Sequence, residues 1–164
     1  MSLAGPGELF FPGEIFARMT EYAETAYPYE GCGVLVGSQG EELTAVSEVF
    51  QGHNLVEDRR RDRYELDPRD IIQAEREARR TGQEVIGFYH THPDHPARPS
   101  QFDTDRAWPG YHYVVISVAE GHLAEATAWR LVEGEEPNRF EEVPLSGGHV
   151  GPGYNPAGLV AEVP

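Results

Sequence analysis

The sequence is missing several features that would assign it to common protein classes. It has no lysine and a single cysteine, Cys32, which excludes an internal disulfide, a Cys-x-x-Cys zinc ribbon and the cysteine pair of the zinc deaminases. No apolar run approaches the roughly 18 residues that a membrane span needs. The N-terminus also lacks a basic stretch followed by an apolar core, the pattern of a secretory signal. We therefore expect a cytoplasmic protein with no membrane association.

The charge is strongly one-sided. Twenty-eight acidic residues stand against thirteen basic ones, all of them arginine, and the formal net charge is −15. A field of that sign repels phosphate, so the charge argues against a nucleic-acid partner. With 164 residues, of which 39% are hydrophobic, the chain fits one globular domain. We place that domain at residues 1–145 and expect a flexible Gly/Pro-rich tail over residues 146–164.

Periodicity and punctuation predict an α/β (α+β) fold with a mixed sheet. An apolar stripe at helical spacing runs between Pro12 and Pro28. Asp67 and Pro68 form a helix start, and Gly82 is the predicted stop of a helix that runs to about residue 80. Apolar or alternating runs predict strands over residues 8–11, 33–37, 43–50, 59–66, 84–90, 111–119, 122–132 and 140–143.

The residues with the clearest chemistry follow the strand at 84–90. His90 and His92 are two positions apart, so a strand puts both imidazoles on one face. Asp103 follows across a proline-rich loop, predicted over 91–99, that can bring its carboxylate back to them. Two imidazoles and one carboxylate form the ligand set of a catalytic zinc site, although such a set also accepts other divalent ions.

A catalytic zinc also needs a carboxylate that is not a ligand, to take a proton from its water. Glu30, just before the strand at 33–37, is the candidate, but nothing local in the sequence puts it beside the histidines. The alternative for Glu30 is an ordinary surface residue at a helix end.

The motif as a whole resembles the JAMM (MPN+) metalloproteases. The family has an upstream Glu, then His-x-His, seven residues and Ser-x-x-Asp; this chain has Glu30, His90-Thr-His92 and Ser100-Gln-Phe-Asp103. The resemblance implies that His90, His92 and Asp103 bind zinc and that Glu30 is general base and then general acid. It also implies that Ser100 helps to hold the attacking water and the oxyanion. The implied fold is a mixed sheet flanked by helices, similar to that of cytidine deaminases.

The resemblance also implies a substrate class. The family cleaves amide bonds, often after the Gly-Gly tail of a ubiquitin-like protein. The proline-rich loop and the stretch before it look like the small prokaryotic members, some of which act on sulfur-carrier proteins. Two alternatives are a non-catalytic scaffold of the same fold and a RadC-like protein. The scaffolds usually lack a metal ligand, whereas all of the family's ligand positions are matched here. The loop of the RadC branch reads His-Asn-His-Pro-Ser-Gly, whereas this chain has His90-Thr-His-Pro-Asp-His. The oligomeric state stays open.

Other residues near the motif have simpler interpretations. Ser100-x-x-Asp103 is also a capping box for a short helix over residues 101–107, which is compatible with the family role. We expect His95 not to be a ligand and Cys32 to be a small core residue. Trp108 either packs against the loop or lines a substrate groove. No role is assigned to the remaining histidines, which are His53, His112, His122 and His149.

An arginine cluster stands out against the acidic composition. Eight of the thirteen arginines lie between residues 59 and 80, and the run Arg59–Arg61 with Arg63 is the densest part. We hypothesise that this cluster meets an acidic partner surface. Charge reversal at Arg59 and Arg61 is then expected to slow association at low salt.

Overall fold

The computed structural model describes residues 7–58 and 62–147. The helices are α1 (Gly13–Ala26), α2 (Pro68–Arg80) and α3 (Gln101–Arg106). The strands are β1 (Glu8–Phe10), β2 (Cys32–Ser38), β3 (Leu43–Gln51), β4 (Glu84–Pro93), β5 (His112–Ala119), β6 (His122–Leu131), β7 (Phe140–Val143) and β8 (Leu145–Ser146). The predicted mixed α/β class is confirmed.

Within the described residues the strands form one sheet in the order β7-β6-β5-β4-β2-β3-β1-β8. The central strand β4 pairs antiparallel with β2 and parallel with β5. Gly33 lets β2 pack closely against both neighbours, because a Cβ there would lie 2.2 Å from the Phe50 carbonyl oxygen and from the Tyr89 ring. The residues that end β4 therefore lie in the middle of the sheet, next to the start of β2.

The two faces of the sheet carry different cores. Helix α1 packs on one face, where Phe16 and Met19 join a cluster with Leu9, Tyr89 and Ile116. Helix α2 packs on the other face, in a cluster rich in aromatic side chains. Complete burial of each large apolar side chain contributes about 1.5–3 kcal/mol. Helix α1 therefore holds the sheet through its apolar stripe, as the periodicity predicts. Helix α2 packs through Ala74 and Ala78.

Local signals at both ends of α2 act as predicted. The Asp67 carboxylate accepts the Arg69 backbone N–H at 3.0 Å, and Pro68 occupies the first turn. After the helix, Gly82 adopts a φ of +72°, a left-handed conformation that favours glycine.

Two of the predicted strands differ clearly from the structure. The alternating run over 59–66 is not a strand where it is described: residues 62–66 make only an isolated bridge between Asn54 and Leu66, and residues 59–61 lie outside the described part. The strand predicted over 84–90 continues to Pro93, because Thr91 and Pro93 pair with Ile116 and Val118 of β5. The proline-rich loop is correspondingly shorter.

The C-terminal prediction is covered only at its start. Ser146 pairs with Phe10, so the boundary predicted between residues 145 and 146 falls inside β8. Residues 148–164 of the predicted tail lie outside the described residues. Among residues 7–58 and 62–147, no helix has the length and apolar character needed to cross a bilayer.

Candidate functional site

The end of β4 brings the two predicted histidine ligands together. The Nε2 atoms of His90 and His92 are 3.2 Å apart. The His90 side chain is buried and that of His92 is mostly buried. Pairing of β4 with β5 continues past both residues, so the strand that carries them is held on that side by backbone hydrogen bonds.

Helix α3 supplies the third side chain. Ser100 is its N-cap: the Ser100 Oγ accepts the Asp103 N–H at 3.0 Å, and the Asp103 Oδ2 accepts the Ser100 N–H at 2.9 Å. This is the capping box that the sequence predicts. The same Oδ2 lies 3.1 Å from the Nε2 of His90 and 3.3 Å from the Nε2 of His92. The cap thus aims the Asp103 carboxylate at both imidazoles.

These three side chains fit a metal ion. Bonds of about 2.0–2.1 Å in a tetrahedral site require ligand atoms about 3.3 Å apart, and the three separations here are 3.2, 3.1 and 3.3 Å. In the described residues, His90, His92 and Asp103 are the group that can hold a metal. The His92 Nδ1 lies 2.9 Å from the Pro96 carbonyl oxygen. A carbonyl only accepts, so the proton belongs on Nδ1, and the Nε2 of a neutral imidazole is left free to coordinate.

Electrostatics keeps the carboxylate charged. Burial alone raises the pKa of Asp103, but the neighbouring His90 and the hydrogen bonds from the imidazoles and Ser100 hold that pKa well below its usual range. Burial lowers the pKa of His90. Burial also works against protonation of His92, yet its contacts with Asp103 and the Pro96 carbonyl raise its pKa. A charged carboxylate between two imidazoles attracts a cation.

Glu30 lies beside this group, which the sequence alone did not establish. Strand β2 pairs with β4 so that Cys32 is opposite His90. Just before it, the Gly31 N–H donates to the Thr91 Oγ1 at 2.8 Å, and the Thr91 N–H donates back to the Gly31 carbonyl at 3.0 Å. Thr91, the middle residue of the histidine motif, is therefore the link that brings Glu30 to the site. Sequence reasoning assigned it no role.

The Glu30 side chain is buried, and this changes its acidity. Desolvation raises the pKa of Glu30 to about 8, with a further rise from Asp103 and an opposing effect of His92. The surface interpretation of Glu30 is therefore wrong, since only 8% of the residue is exposed. A carboxyl group whose pKa is near neutrality can both accept and donate a proton.

An apolar groove of about 230 Å³ adjoins the metal-ligand group. Asp103 lines one end of it, and Phe102, Phe88 and Trp108 lie along its walls. Trp108 is 55% exposed and also packs edge-on against Phe88, with ring centroids 6.2 Å apart. Trp108 therefore lines a groove, and its ring packs on Phe88 of β4. Its packing against the proline-rich loop stays a prediction.

Three further candidates have the following surroundings. Cys32 is buried, and burial raises the pKa of its thiol to about 12, so it stays a neutral core residue. His95 is outside the three-residue metal group, and its backbone carbonyl accepts a hydrogen bond from Ser117. Arg63, the described residue of the dense run at 59–63, lies over the Phe102 ring at 4.4 Å.

Known proteins are similar to this chain in sequence and in fold. The desampylase of Haloferax volcanii is 37% identical over 105 residues, which cover 63% of this chain and 73% of that protein. The CysO-cysteine peptidase of Mycobacterium tuberculosis is 29% identical over 135 residues, covering 79% and 88%. A solution structure from Desulfitobacterium hafniense superposes with a TM-score of 0.73 at 25% identity, over 85% of this chain and 92% of that one.

A family model supplies the remaining comparison. The model for prokaryotic homologues of the JAB domain matches residues 12–132, which include every candidate site residue. That span also contains both helices that pack on the sheet and the whole metal-ligand group. The resemblance drawn from the motif is confirmed, and the chain belongs to the prokaryotic JAB-domain family.

Proposed function

We propose that this chain is a zinc-dependent peptidase. Its substrate is the peptide or isopeptide bond after the C-terminal Gly-Gly tail of a ubiquitin-like or sulfur-carrier protein. The observation that carries the proposal is the meeting of His90, His92 and Asp103 beside the buried carboxyl of Glu30. The names of the two relatives, a desampylase and a peptidase of a cysteine-bearing carrier, support the substrate class.

Each side chain has a part in the proposed reaction. A zinc ion held by the two imidazoles and the carboxylate supplies Lewis-acid activation of water at neutral pH. Glu30 takes a proton from the water that attacks the carbonyl carbon, and later gives a proton to the leaving amine nitrogen as the C–N bond breaks. The Ser100 Oγ accepts one backbone N–H and keeps its own proton to donate to the oxyanion.

The groove next to Asp103 suits an extended protein tail. Its aromatic wall offers apolar area, and Arg106 adds a positive charge at its rim. A tail ending in two glycines has no side chains at the scissile bond, so its backbone can approach the buried carboxylates closely. The groove then holds the residues before the glycines.

A cleavage assay tests the proposal. The full chain, loaded with zinc, is incubated with carrier proteins whose Gly-Gly tail is joined to a reporter linearly or through a lysine side chain. The matched control replaces both tail glycines with valine. We expect release after the second glycine, loss of cleavage on chelation, and recovery on adding zinc. No cleavage of either fusion by the zinc-loaded chain would refute the proposal, and tail binding without cleavage would favour the scaffold alternative.

A further inference from the structure

The two histidines of the metal-ligand group are oriented in different ways. The His92 ring is fixed by the hydrogen bond between its Nδ1 and the Pro96 carbonyl. The His90 ring instead lies flat against the ring of Tyr64, with centroids 4.5 Å apart and planes inclined by 18°. Stacking on an aromatic face therefore restrains the orientation of the His90 ring, as the hydrogen bond to a carbonyl restrains that of the His92 ring.

Tyr64 belongs to a short segment, residues 62–66, that we name the brace. It has no strand ladder. An isolated bridge at Leu66 and the hydrogen bond from the Leu55 N–H to the Glu65 carbonyl, at 2.8 Å, hold its backbone, and the side chain of Asn54 adds further contacts. The Asn54 Nδ2 donates to the Arg63 carbonyl at 3.1 Å, and the Asn54 Oδ1 accepts the Glu65 N–H at 3.0 Å. These two bonds flank Tyr64 and fix the backbone on both sides of it.

The same carboxamide reaches the proposed general base. The Asn54 Nδ2 also donates to the Glu30 carbonyl at 3.2 Å. On its other side the brace touches the helix that carries Asp103, because the Arg63 guanidinium lies over the Phe102 ring. The brace and Asn54 together are thus in contact with the elements that supply Glu30, His90 and Asp103.

We propose that the brace is the positioning device of the metal site. The Tyr64 ring sets the plane of the His90 imidazole, and Asn54 keeps Tyr64 and Glu30 in a fixed relation. The inference rests on the proposed function and deepens it, since it assigns positioning residues to the same site.

The physical basis is the direction of the imidazole lone pair. That lone pair lies in the ring plane, so rotation about the Cβ–Cγ bond of His90 turns Nε2 away from the other two ligands. This torsion has broad minima and is weakly restrained by itself. A ring stacked nearly parallel on the imidazole face blocks the rotation. Partners that orient a metal-ligating histidine typically change metal affinity by about 10–100-fold.

Metal affinity tests the role of Tyr64. Zinc affinity of the full chain is measured by competition with a chromophoric chelator, and the visible spectrum of the cobalt(II) form reports ligand geometry. Tyr64→Leu removes the flat contact and should weaken zinc binding about 10–100-fold and alter the cobalt spectrum. Tyr64→Phe keeps the stacked ring and should match the parent. Tyr22→Leu, a partly buried tyrosine packed on the α1 face, is the matched control and should leave zinc affinity unchanged.

The outcomes separate this inference from the proposed function. A parent that binds no zinc refutes the proposed function itself. A parent that binds zinc, with Tyr64→Leu binding equally well and giving the same cobalt spectrum, overturns the brace. Circular dichroism establishes that each variant is folded; should Tyr64→Leu not fold, Tyr64→Met carries the same test.

A second variant tests the link to Glu30. Asn54→Asp keeps the acceptor oxygen but loses both donors, to the Glu30 and Arg63 carbonyls. We expect kcat for a Gly-Gly fusion to fall about tenfold while KM stays near the parent value, and the pH profile to shift because the carboxyl of Glu30 moves. Gln39→Glu, which loses a donor to the Gly110 carbonyl away from the site, is the control. A parental kcat and pH profile in Asn54→Asp would overturn the role of Asn54.

Discussion

The two faces of the sheet differ in burial and in the position of the candidate site. On the α1 face, Phe16, Met19 and Ile116 form an apolar core with at most 1% exposure, and no candidate site residue belongs to that cluster. On the α2 face, burial is less complete: the aromatic cluster opens into a groove, and the metal-ligand group lies at its end. The difference indicates that stability and chemistry can be altered separately, and four predictions test this separation.

The largest effect is expected at the proposed general base. Glu30→Gln should lower kcat for a Gly-Gly fusion by about 10²–10⁴-fold, since the amide cannot carry the proton. Zinc affinity and thermal midpoint should stay close to those of the parent, because Glu30 is not one of the three metal-ligand residues. Glu14→Gln, an exposed acid in the first turn of α1, is the control. Cleavage at the parental rate by Glu30→Gln would mean that the proposed mechanism is wrong.

A substitution in the core on the α1 face should lower stability and leave kcat unchanged. Phe16→Ala leaves a cavity beneath α1 and should lower the free energy of unfolding by about 3–5 kcal/mol. Denaturant titration measures that loss, while kcat per folded molecule should not change. Glu14→Ala on the same helix should stay within about 0.5 kcal/mol of the parent. A fall in kcat for folded Phe16→Ala would break the proposed separation of the faces.

The groove should affect binding more than chemistry. Trp108→Ala removes an aromatic wall that is half exposed, and we expect KM for a tail-bearing substrate to rise about tenfold, equivalent to about 1.4 kcal/mol. The substitution keeps the hydrogen bond from the backbone N–H of residue 108 to the Tyr113 hydroxyl. The aromatic wall is therefore removed while the backbone stays anchored. Leu43→Ala, at another exposed apolar position, serves as control. A change confined to kcat would contradict the assignment of the groove.

The smallest effect concerns a buried histidine outside the site. Desolvation lowers the pKa of His112 to about 4, with Arg130 acting in the same direction. Because this pKa is depressed in the fold, the unfolded chain binds more protons below pH 6.5, and stability falls as the pH drops from there towards 4. The parent should lose about 1 kcal/mol more than His112→Leu between pH 7.5 and 5.5. The free energy of unfolding of both proteins is measured against pH with a chelator present. Parallel pH dependences of the two would refute the depressed pKa of His112.

Local signals explain which parts of the fold could be predicted. The start of α2 and the capping box of α3 depend on residues a few positions apart, so Asp67, Pro68 and Ser100 were sufficient to predict both helix starts. The His-x-His spacing likewise predicted two side chains on one face. These elements carry their own caps and periodicity, and tertiary contacts did not override them.

Long-range pairing explains the remainder. The position of Glu30 depends on the register of β2 against β4, which no residue near Glu30 encodes. The alternation around Tyr64 has the period of a strand. In the structure, however, Tyr64 stacks on the imidazole of His90 and its segment does not pair as a strand. A period-two pattern reports which side chains share a face, and only the assembled sheet decides what they meet.

One oxygen of Asp103 belongs both to the metal-ligand group and to the N-terminal cap of α3. The Oδ2 that faces both imidazoles also accepts the backbone N–H of the α3 cap. Winding of this six-residue helix and occupancy of the neighbouring site are therefore thermodynamically linked. Amide hydrogen exchange in its first turn should slow when an ion is bound, so that this turn becomes an internal reporter of metal binding.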